Sequence, residues 1–446
     1  MKVIVIGGVA TGMSAASKLK RLMPTATIHV YEKGPDVSYG ACGLPYYLSD
    51  IIPKASALIA RTVEQFERLG IHVFTFHEVI AVDDASKAVT IKNSQTNTQI
   101  KDHYDRLVIA TGAHAIRLKV PGHTLKGIHV LNSLQDGITL KKSLKNAQKV
   151  TVVGSGFIGL EVVENLLEMR KEVTLIERES QLMPTFDEIM VEPIMQALKK
   201  AGVTIVLNET VQAYQGNSAV KTVMTNHKSY DTDLVIEAIG IRPNTEFLNN
   251  TGIKMLSNGA IITNEMMQTS LKHVYAGGDC ASYHHQIKNE PAYVALGTHA
   301  NKAGRVIAEH IANQPTGFKG VLGSSVLKVL DYTLAKTGIT EKEAQMASID
   351  YDTVDITAKN QAGYYPGAVK LQIRIVYDPT SCRLLGAQML GKKGVSSRIN
   401  VIAVAISQGM TASEFSQLDL AYAPPFSPVW DPLQIATNQI SCKGEK

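Results

Sequence analysis

Cysteine is scarce in this sequence and poorly placed for metal binding or for a disulfide framework. The 446 residues contain four cysteines, Cys42, Cys280, Cys382 and Cys442, at widely separated positions. Zinc sites and small disulfide-rich domains need closely spaced cysteines. We therefore predict no metal site. We expect Cys280, Cys382 and Cys442 to be structural residues without a partner, as in a reducing cytoplasm.

Long apolar runs and dense tracts of one charge are also missing. No run approaches the ~18 apolar residues of a membrane span. Two glycines interrupt the N-terminal stretch MKVIVIGGVATGM, and no small-residue cleavage site follows it, which disfavours a secretory signal. The net charge is only +5, and lysine and arginine are scattered. We therefore expect a cytoplasmic protein of two or three domains that binds neither membranes nor nucleic acids.

The segment VIVIGGVATGMSAA indicates a strand, a tight turn and a helix that bind a dinucleotide. The strand covers residues 3–6, the turn lies at Gly7 and Gly8, and the helix starts at Gly12. The middle glycine of G-x-G-x-x-G is displaced by one position, so a plain strand–helix turn is the alternative. A second strand ends at Glu32, twenty residues after Gly12, where an acid binds a ribose hydroxyl.

A second and more regular copy lies in KVTVVGSGFIGLEVVENLLEMRKEVTLIER. Gly154, Gly156 and Gly159 are in register, and Glu177 ends the next strand. A carboxylate there accepts from both ribose hydroxyls and repels a 2′-phosphate, which favours NADH over NADPH. The adjacent Arg178 could bind a 2′-phosphate, so NADPH is the alternative donor.

Three shorter segments each indicate a strand that runs into a glycine turn. They are LVIATGA (107–113), LVIEAIGIRPN (234–244) and VYAGGDCA (274–281). The last delivers Asp279 to a predicted helix start, where its carboxylate is suited to a ribityl hydroxyl. A helix is predicted over about residues 292–311.

The order GGVATG, ATG, GSGFIG, AIG and YAGGD resembles that of the FAD-dependent pyridine nucleotide-disulfide oxidoreductases. The resemblance implies an α/β fold with two Rossmann-like dinucleotide-binding domains and a C-terminal α+β dimerisation domain. The expected bounds are 1–115 with 241–320 for FAD, 116–240 for NAD(P)H and 321–446 for dimerisation. The expected cofactor-binding residues are Gly7, Gly8, Gly12, Glu32, Lys33, Val79, Thr111, Gly112 and Asp279 for FAD, and Gly154, Gly156, Ile158, Gly159, Glu177 and Gly240 for NADH or NADPH.

The segment VSYGACGLPYYL (37–48) resembles the single-cysteine branch of that family, which contains coenzyme A-disulfide reductases, CoA-persulfide reductases, NADH oxidases and NADH peroxidases. Pro45 indicates a helix start, so Cys42 lies just before a helix N-terminus. We expect that position to lower the pKa of the Cys42 thiol. A small buried side chain is the alternative for Cys42.

Several residues favour CoA disulfide as the substrate within that branch. Ala10 stands where oxidases and peroxidases carry a histidine, and the cysteine is followed by Gly-Leu-Pro-Tyr as in the CoA-disulfide reductases. Two tyrosine motifs, AGYYPGAVKL (362–371) and LAYAPPFSPVWDPL (420–433), also resemble theirs. The resemblance implies a homodimer in which one C-terminal domain completes the partner's site. Tyr365 and Tyr422 are the candidate proton donors, ahead of Tyr364, with interface packing as the alternative.

The expected reaction is reduction of CoA disulfide by NAD(P)H through FAD and a mixed disulfide between Cys42 and CoA. Ser14, Lys18 and Arg21 share a helix face suited to the anionic CoA nucleotide, and we add Ser38 and Trp430 as substrate-binding candidates. Relatives carry Asp-Lys-Arg where this chain has Ser-Ser-Arg at residues 396–398. The alternatives are an NADH oxidase or peroxidase with a Cys42 sulfenic acid, a CoA-persulfide reductase, and a flavin-containing redox sensor that does not turn over.

Overall fold

The structure is a computed structural model that describes residues 1–314 and 316–442. The first part of the chain alternates strands and helices around the first glycine motif. Its strands are β1 (Lys2–Ile6), β2 (Thr27–Tyr31), β3 (His72–Phe74), β4 (His77–Asp83), β5 (Ala88–Asn93), β6 (Gln99–His103), β7 (Arg106–Ile109) and β8 (Ala113–Ala115). Its helices are α1 (Ala10–Leu22), α2 (Leu44–Leu48) and α3 (Val63–Glu67).

The next part repeats this pattern around the second glycine motif. Its strands are β9 (Ile128–His129), β10 (Lys149–Val153), β11 (Glu172–Ile176), β12 (Thr204–Val206), β13 (Val211–Gln215), β14 (Thr222–Thr225), β15 (Ser229–Asp231) and β16 (Leu234–Glu237). Its helices are α4 (Leu134–Leu144), α5 (Phe157–Glu168) and α6 (Glu188–Lys200). Five strands form a parallel sheet in the order β12-β11-β10-β16-β9, which is a Rossmann-like arrangement.

The chain then returns to the first sheet. The elements are β17 (Ile241–Pro243), β18 (Val274–Ala276), β19 (Tyr283–His285), β20 (Glu290–Ala292) and α7 (Gly297–Ile311). Strand β18 completes the parallel sheet β18-β7-β1-β2-β3, and β17 pairs with β8 where the chain crosses between the two sheets. The predicted helix over 292–311 was placed too early, because the β19–β20 hairpin occupies its start. Asp279 accordingly lies in the turn before β19 and not at a helix start.

The last part forms an antiparallel sheet with helices. Its elements are β21 (Ser325–Val329), β22 (Tyr332–Gly338), α8 (Glu341–Met346), β23 (Asp352–Lys359), β24 (Lys370–Tyr377), β25 (Leu384–Gly391), α9 (Val395–Ser407), α10 (Ala412–Ser416) and α11 (Pro432–Thr437). The sheet order is β21-β22-β25-β24-β23. The predicted fold class, two dinucleotide-binding α/β units followed by an α+β domain, is confirmed. In the described ranges, no helix combines the length and the apolar character that a membrane crossing requires.

Burial explains why the two parallel sheets form. Strand β1 has the sequence KVIVI, and its last four side chains are buried on both faces, as is typical of a parallel strand covered by helices. Helices α1 and α7 pack on one face, where the Thr11 hydroxyl donates to the Ala300 carbonyl at 2.9 Å. The end of β1 and the start of α1 fix the loop that carries the first glycine motif.

The C-terminal cysteines contradict the sequence prediction. Cys382 and Cys442 form a disulfide, with Cα atoms 5.8 Å apart. They are 60 positions apart, so their spacing in the sequence did not indicate a disulfide. The fold brings them together, because the turn after β24, which carries Cys382, lies next to the chain beyond α11, which carries Cys442. Cys280 is a buried thiol whose sulfur donates to the Gly277 carbonyl at 3.4 Å. Over residues 1–314 and 316–442, no three metal-binding side chains lie together.

Candidate active site

A single cleft of about 2380 Å³ runs along the carboxyl ends of both parallel sheets. Ligands bind at this edge in open α/β sheets. Twelve of the fifteen predicted cofactor-binding residues line it: Gly7, Glu32, Lys33, Val79, Thr111, Gly112, Gly154, Gly156, Ile158, Glu177, Gly240 and Asp279. Cys42 lines the same cleft. The fold therefore brings the predicted cysteine and both dinucleotide motifs to one continuous surface.

The first glycine loop is fixed by Glu32. Gly7 has a φ of +102°, which favours glycine, and a side chain there would run into the Ala110 carbonyl. The backbone amides of Gly8 and Gly34 donate to the two Glu32 oxygens, each at 2.8 Å. A carboxylate has further lone pairs, so Glu32 can still accept from a ligand hydroxyl.

The second glycine loop repeats this arrangement with Glu177. The Ser155 amide and hydroxyl donate to one Glu177 oxygen at 2.8 and 2.7 Å, and the Glu179 amide donates to the other at 3.1 Å. Glu177 is only 7% exposed. In both loops the residue after the first glycine donates to the acid that ends the next strand.

The three predicted cofactor-binding glycines outside the cleft lining each pack closely against neighbouring atoms, which are side chains of Val37 and Glu32 at Gly8 and backbone at the other two. Gly8 donates to Glu32 as described above. Gly12 and Gly159 occupy the first turns of α1 and α5, where a side chain would run into the carbonyls of Gly7 and Gly154 respectively. Their role in this chain is to let each helix approach its loop closely.

Cys42 lies in a 3-10 turn (Ala41–Gly43) that leads directly into α2, with Pro45 in the first turn of that helix. The side chain is exposed to the cleft. Burial of the sulfur by surrounding protein nevertheless raises the pKa of the Cys42 thiol, and the carboxylates of Glu161 and Asp279 raise it further. The expected lowering of this pKa is therefore wrong for the chain alone, because desolvation and two negative charges outweigh one short helix.

Glu161 and Glu164 on α5 were missed by the sequence reasoning. Glu161 lines the cleft, and burial together with the nearby Glu164 raises the pKa of its carboxyl to about 7. Glu164 pairs with Lys328 of β21, and its Oε2 atom is buried without a hydrogen-bond partner in the described ranges. Two acids three positions apart in the apolar helix FIGLEVVENLLE were the available signal.

In the described part of the chain, none of the predicted substrate-binding residues lines the cleft. The Ser14 hydroxyl donates to Asn301 Oδ1 at 2.7 Å, and Lys18 pairs with Glu309 at 3.1 Å. Arg21 is exposed on the same helix. Asn301 and the exposed Lys302 of α7 do line the cleft, so they connect this helix face to it.

Ser38 is held mainly through its backbone. Its amide donates to the Gly8 carbonyl and its carbonyl accepts from the Ala60 amide, each at 2.8 Å. Its φ is +51°, a left-handed conformation that is uncommon for serine. Ser38 therefore joins the first glycine loop to the segment that carries Cys42.

The tyrosine motifs lie in the C-terminal domain and away from the cleft of the same chain. The Tyr364 and Tyr422 hydroxyls are 3.3 Å apart, and both side chains are exposed. Tyr365 and Trp430 are exposed as well. As far as the described residues extend, none of these four side chains lines the cleft that contains Cys42.

Comparison with known proteins assigns these features to one family. Residues 1–304 match the family model described as pyridine nucleotide-disulphide oxidoreductase, and residues 324–432 match the model of the dimerisation domain of that family. The chain belongs to the pyridine nucleotide-disulphide oxidoreductases. It is an NAD(P)H-dependent FAD oxidoreductase, as the resemblance implied. Glu32, the first glycine loop and the half-buried Asp279 form a cradle that fits FAD, and the Glu177 loop fits the nicotinamide nucleotide.

Three members of this family cover nearly the whole chain. A coenzyme A disulfide reductase from Staphylococcus aureus is 36% identical over 96% of each chain. The structure of an NAD-dependent persulfide reductase from A. fulgidus is 36% identical, with a TM-score of 0.95 over 98% of this chain and 82% of that one. A water-forming NADH oxidase from Lactobacillus brevis is 30% identical, with a TM-score of 0.96 over 98% and 97%. Oxidoreductases with different electron acceptors are thus similar to this chain.

Proposed function

We propose that this oxidoreductase reduces CoA disulfide with NADH by way of a mixed disulfide between Cys42 and CoA. The single observation that carries the proposal is that Cys42 is exposed in the cleft that both dinucleotide motifs share, and that no other cysteine lines this cleft among the described residues. The balanced reaction is NADH + H⁺ + CoA–S–S–CoA → NAD⁺ + 2 CoA–SH. Bound FAD would supply the two-electron transfer from NADH to the mixed disulfide.

The sulfur chemistry takes place at Cys42. Reduction of the mixed disulfide by two electrons releases one CoA thiolate and leaves the Cys42 thiolate. This thiolate attacks one sulfur of CoA–S–S–CoA, so a new Cys42–S–S–CoA bond forms and the second CoA thiolate leaves. Two protons convert the two CoA thiolates to thiols: one is the solvent proton of the balanced reaction, and the other corresponds to the hydrogen that NADH gives up.

Glu161 supports this chemistry by holding a proton close to Cys42. Its pKa of about 7 lets the carboxyl be neutral or charged near neutral pH. The neutral form does not repel the Cys42 thiolate, whereas the charged form does. Glu161 therefore couples the proton content of the site to the reactivity of the sulfur.

The proposed nucleotide preference rests on Glu177. Its buried carboxylate is held by the Ser155 amide and hydroxyl and accepts a ribose diol, whereas the extra phosphate of NADPH would meet its negative charge. Arg178 is exposed and pairs with Glu179 at 3.0 Å, which reduces its capacity to hold a 2′-phosphate. NADH is therefore the proposed donor.

The proposed site for the CoA nucleotide is the face that α1 and α7 share. Arg21, Lys302 and Arg305 supply positive charge there, and Lys18 adds charge that Glu309 partly neutralises. Ser14 and Asn301 supply hydrogen-bonding groups. CoA carries three phosphates, and lysine and arginine recognise phosphate through charge-assisted hydrogen bonds. Ser38 and Trp430 remain proposed substrate contacts.

The proposed assembly is a homodimer in which the tyrosines of one subunit reach the cleft of the other. The dimerisation domain supports the dimer. Tyr364, Tyr365 and Tyr422 are exposed and do not line the cleft of their own chain in the described ranges, which supports a role in the partner's site. Because the Tyr364 hydroxyl is the one beside Tyr422, geometry favours this pair, and Tyr365 stays the alternative. The domain bounds given above are part of this proposal.

Anaerobic steady-state kinetics test the proposal. The purified holoenzyme should oxidise one NADH for each CoA disulfide and release two thiols. NADH oxidase is the second candidate, because the Lactobacillus brevis enzyme is 30% identical. Rapid NADH use in air with no gain from added CoA disulfide would favour the oxidase and contradict the proposal.

A further inference from the structure

A buried arginine connects the two tyrosine-bearing segments of the C-terminal domain. Arg398 lies in the first turn of α9, and its side chain is 8% exposed. Nε donates to Asp431 Oδ2 at 2.8 Å, and Nη1 donates to the Gly394 carbonyl at 3.2 Å. Nη2 donates to the Asn360 carbonyl at 3.0 Å and to the Phe426 carbonyl at 3.3 Å. All three guanidinium nitrogens are therefore used.

The first segment, residues 360–369, is a closed loop that carries Tyr364. The Asn360 amide donates to the Val369 carbonyl at 2.9 Å, and the Val369 amide donates to Asn360 Oδ1 at 2.8 Å. Inside the loop, Gln361 Nε2 donates to the Pro366 carbonyl at 3.0 Å. Arg398 binds this loop at its base.

The second segment, residues 420–431, carries Tyr422 and ends at Asp431. Asp431 caps α11, since its Oδ1 accepts from the Leu433 amide at 2.9 Å, and its Oδ2 accepts from the Ser427 hydroxyl at 3.2 Å. Arg398 thus holds this segment both at the Phe426 carbonyl and at its C-terminal end.

The two segments meet at two points. The Ala362 amide donates to the Pro424 carbonyl at 3.2 Å, and the Tyr364 and Tyr422 hydroxyls lie 3.3 Å apart. We infer that Arg398 is a positioning residue that sets the spacing of the Tyr364–Tyr422 pair and thereby the rate of disulfide reduction. This inference rests on the proposed function. Arg398 touches neither phenol and acts only through the two segments.

Arginine suits this place because a planar guanidinium presents donors in several fixed directions at once. Lysine keeps the charge, but a single ammonium cannot span Asp431, Asn360 and the Phe426 carbonyl in the same geometry. In the run at residues 396–398, the two serines are exposed and Arg398 is buried.

A double-mutant cycle on the holoenzyme separates positioning from general stability. The variants are Arg398→Lys, Tyr422→Phe and the double variant, and Arg383→Lys is the matched control at an exposed position. The measurements are kcat and KM for CoA disulfide, the anaerobic rate of flavin reduction by NADH, and Tm. Arg398→Lys should lower kcat by about tenfold or more, as expected when reacting groups are misplaced, and leave flavin reduction unchanged. In the Tyr422→Phe background it should lower kcat little further.

Additive effects of Arg398→Lys and Tyr422→Phe on kcat would overturn the inference. So would an Arg398→Lys variant whose Tm falls and whose flavin reduction slows as much as its kcat, because the loss would then be general. Full activity of Tyr422→Phe would also overturn it. If Arg398→Lys fails to fold, Asp431→Asn replaces it in the same cycle, because asparagine keeps the helix cap and removes the charge that Arg398 binds. A wild-type holoenzyme that reduces its flavin but not CoA disulfide would instead refute the proposed function, and the inference with it.

Discussion

Ser155 donates both its hydroxyl and its amide to Oε2 of Glu177, at 2.7 and 2.8 Å, in the second glycine loop. This pair holds a buried carboxylate where the nucleotide ribose is expected. Glu177→Ala should lower kcat/KM for NADH by about tenfold or more, because hydrogen bonds to a charged group are lost. The value for NADPH should fall less or rise. Glu172→Ala, at an exposed position that starts the same strand, is the control, and equal losses for both nucleotides would contradict the assignment.

Glu161 should set the reactivity of Cys42. Its negative charge raises the pKa of the thiol, so Glu161→Gln should lower that pKa. The thiolate would then form at lower pH. The measurement is the pH dependence of iodoacetamide alkylation at Cys42 in reduced, CoA-free protein. Glu168→Gln, at the exposed end of the same helix, is the control and should not change the pH midpoint of alkylation. If Glu161→Gln also leaves this midpoint unchanged, Glu161 does not control the reactivity of Cys42.

The tyrosine pair should act in the disulfide half of the reaction. Tyr364→Phe and Tyr422→Phe should each lower kcat for CoA disulfide by about 10- to 100-fold, as is typical for loss of a proton donor. The hydrogen bond between the two hydroxyls also raises the pKa of Tyr422, which favours its protonated form. Stopped-flow flavin reduction by NADH should be unchanged. A larger effect of Tyr365→Phe than of Tyr364→Phe would restore Tyr365 as the partner of Tyr422.

The disulfide between Cys382 and Cys442 should stabilise the C-terminal domain. It closes a long segment of chain, and the loss of such a crosslink typically costs about 2–4 kcal/mol in the free energy of unfolding. Cys442→Ser should therefore lower Tm relative to the oxidised wild type. Dithiothreitol should lower the Tm of the wild type to that of the variant and have no effect on the variant. A wild-type Tm that does not change with dithiothreitol would show that the disulfide does not contribute to the stability of the domain.

The fold was predictable because its signals are local. A strand that ends at Gly7, with Glu32 at the end of the next strand, meets short-range steric and hydrogen-bonding needs that are visible in the sequence. The same holds for Gly154 and Glu177. The order of two such units and a final segment then specified the fold class.

What the sequence did not reveal depends on contacts between distant residues. Burial and the charge of Glu161, which lies on another element, raise the pKa of Cys42. The sequence showed only the short helix beside Cys42, which favours a lower pKa. The partnership of Cys382 and Cys442 depends on where the chain beyond α11 lies. The proposal of Tyr364 beside the sequence-based candidate Tyr365 rests on which hydroxyl the fold brings to Tyr422. Sequence spacing reports none of these distances.

The most direct test of the mixed disulfide is the intact mass of the purified protein, denatured without reductant and measured again after dithiothreitol. The account predicts an added mass of one CoA that disappears on reduction and is absent from Cys42→Ser. A chain without this adduct, or one that carries only oxygen at Cys42, would contradict the account and support an oxidase or peroxidase.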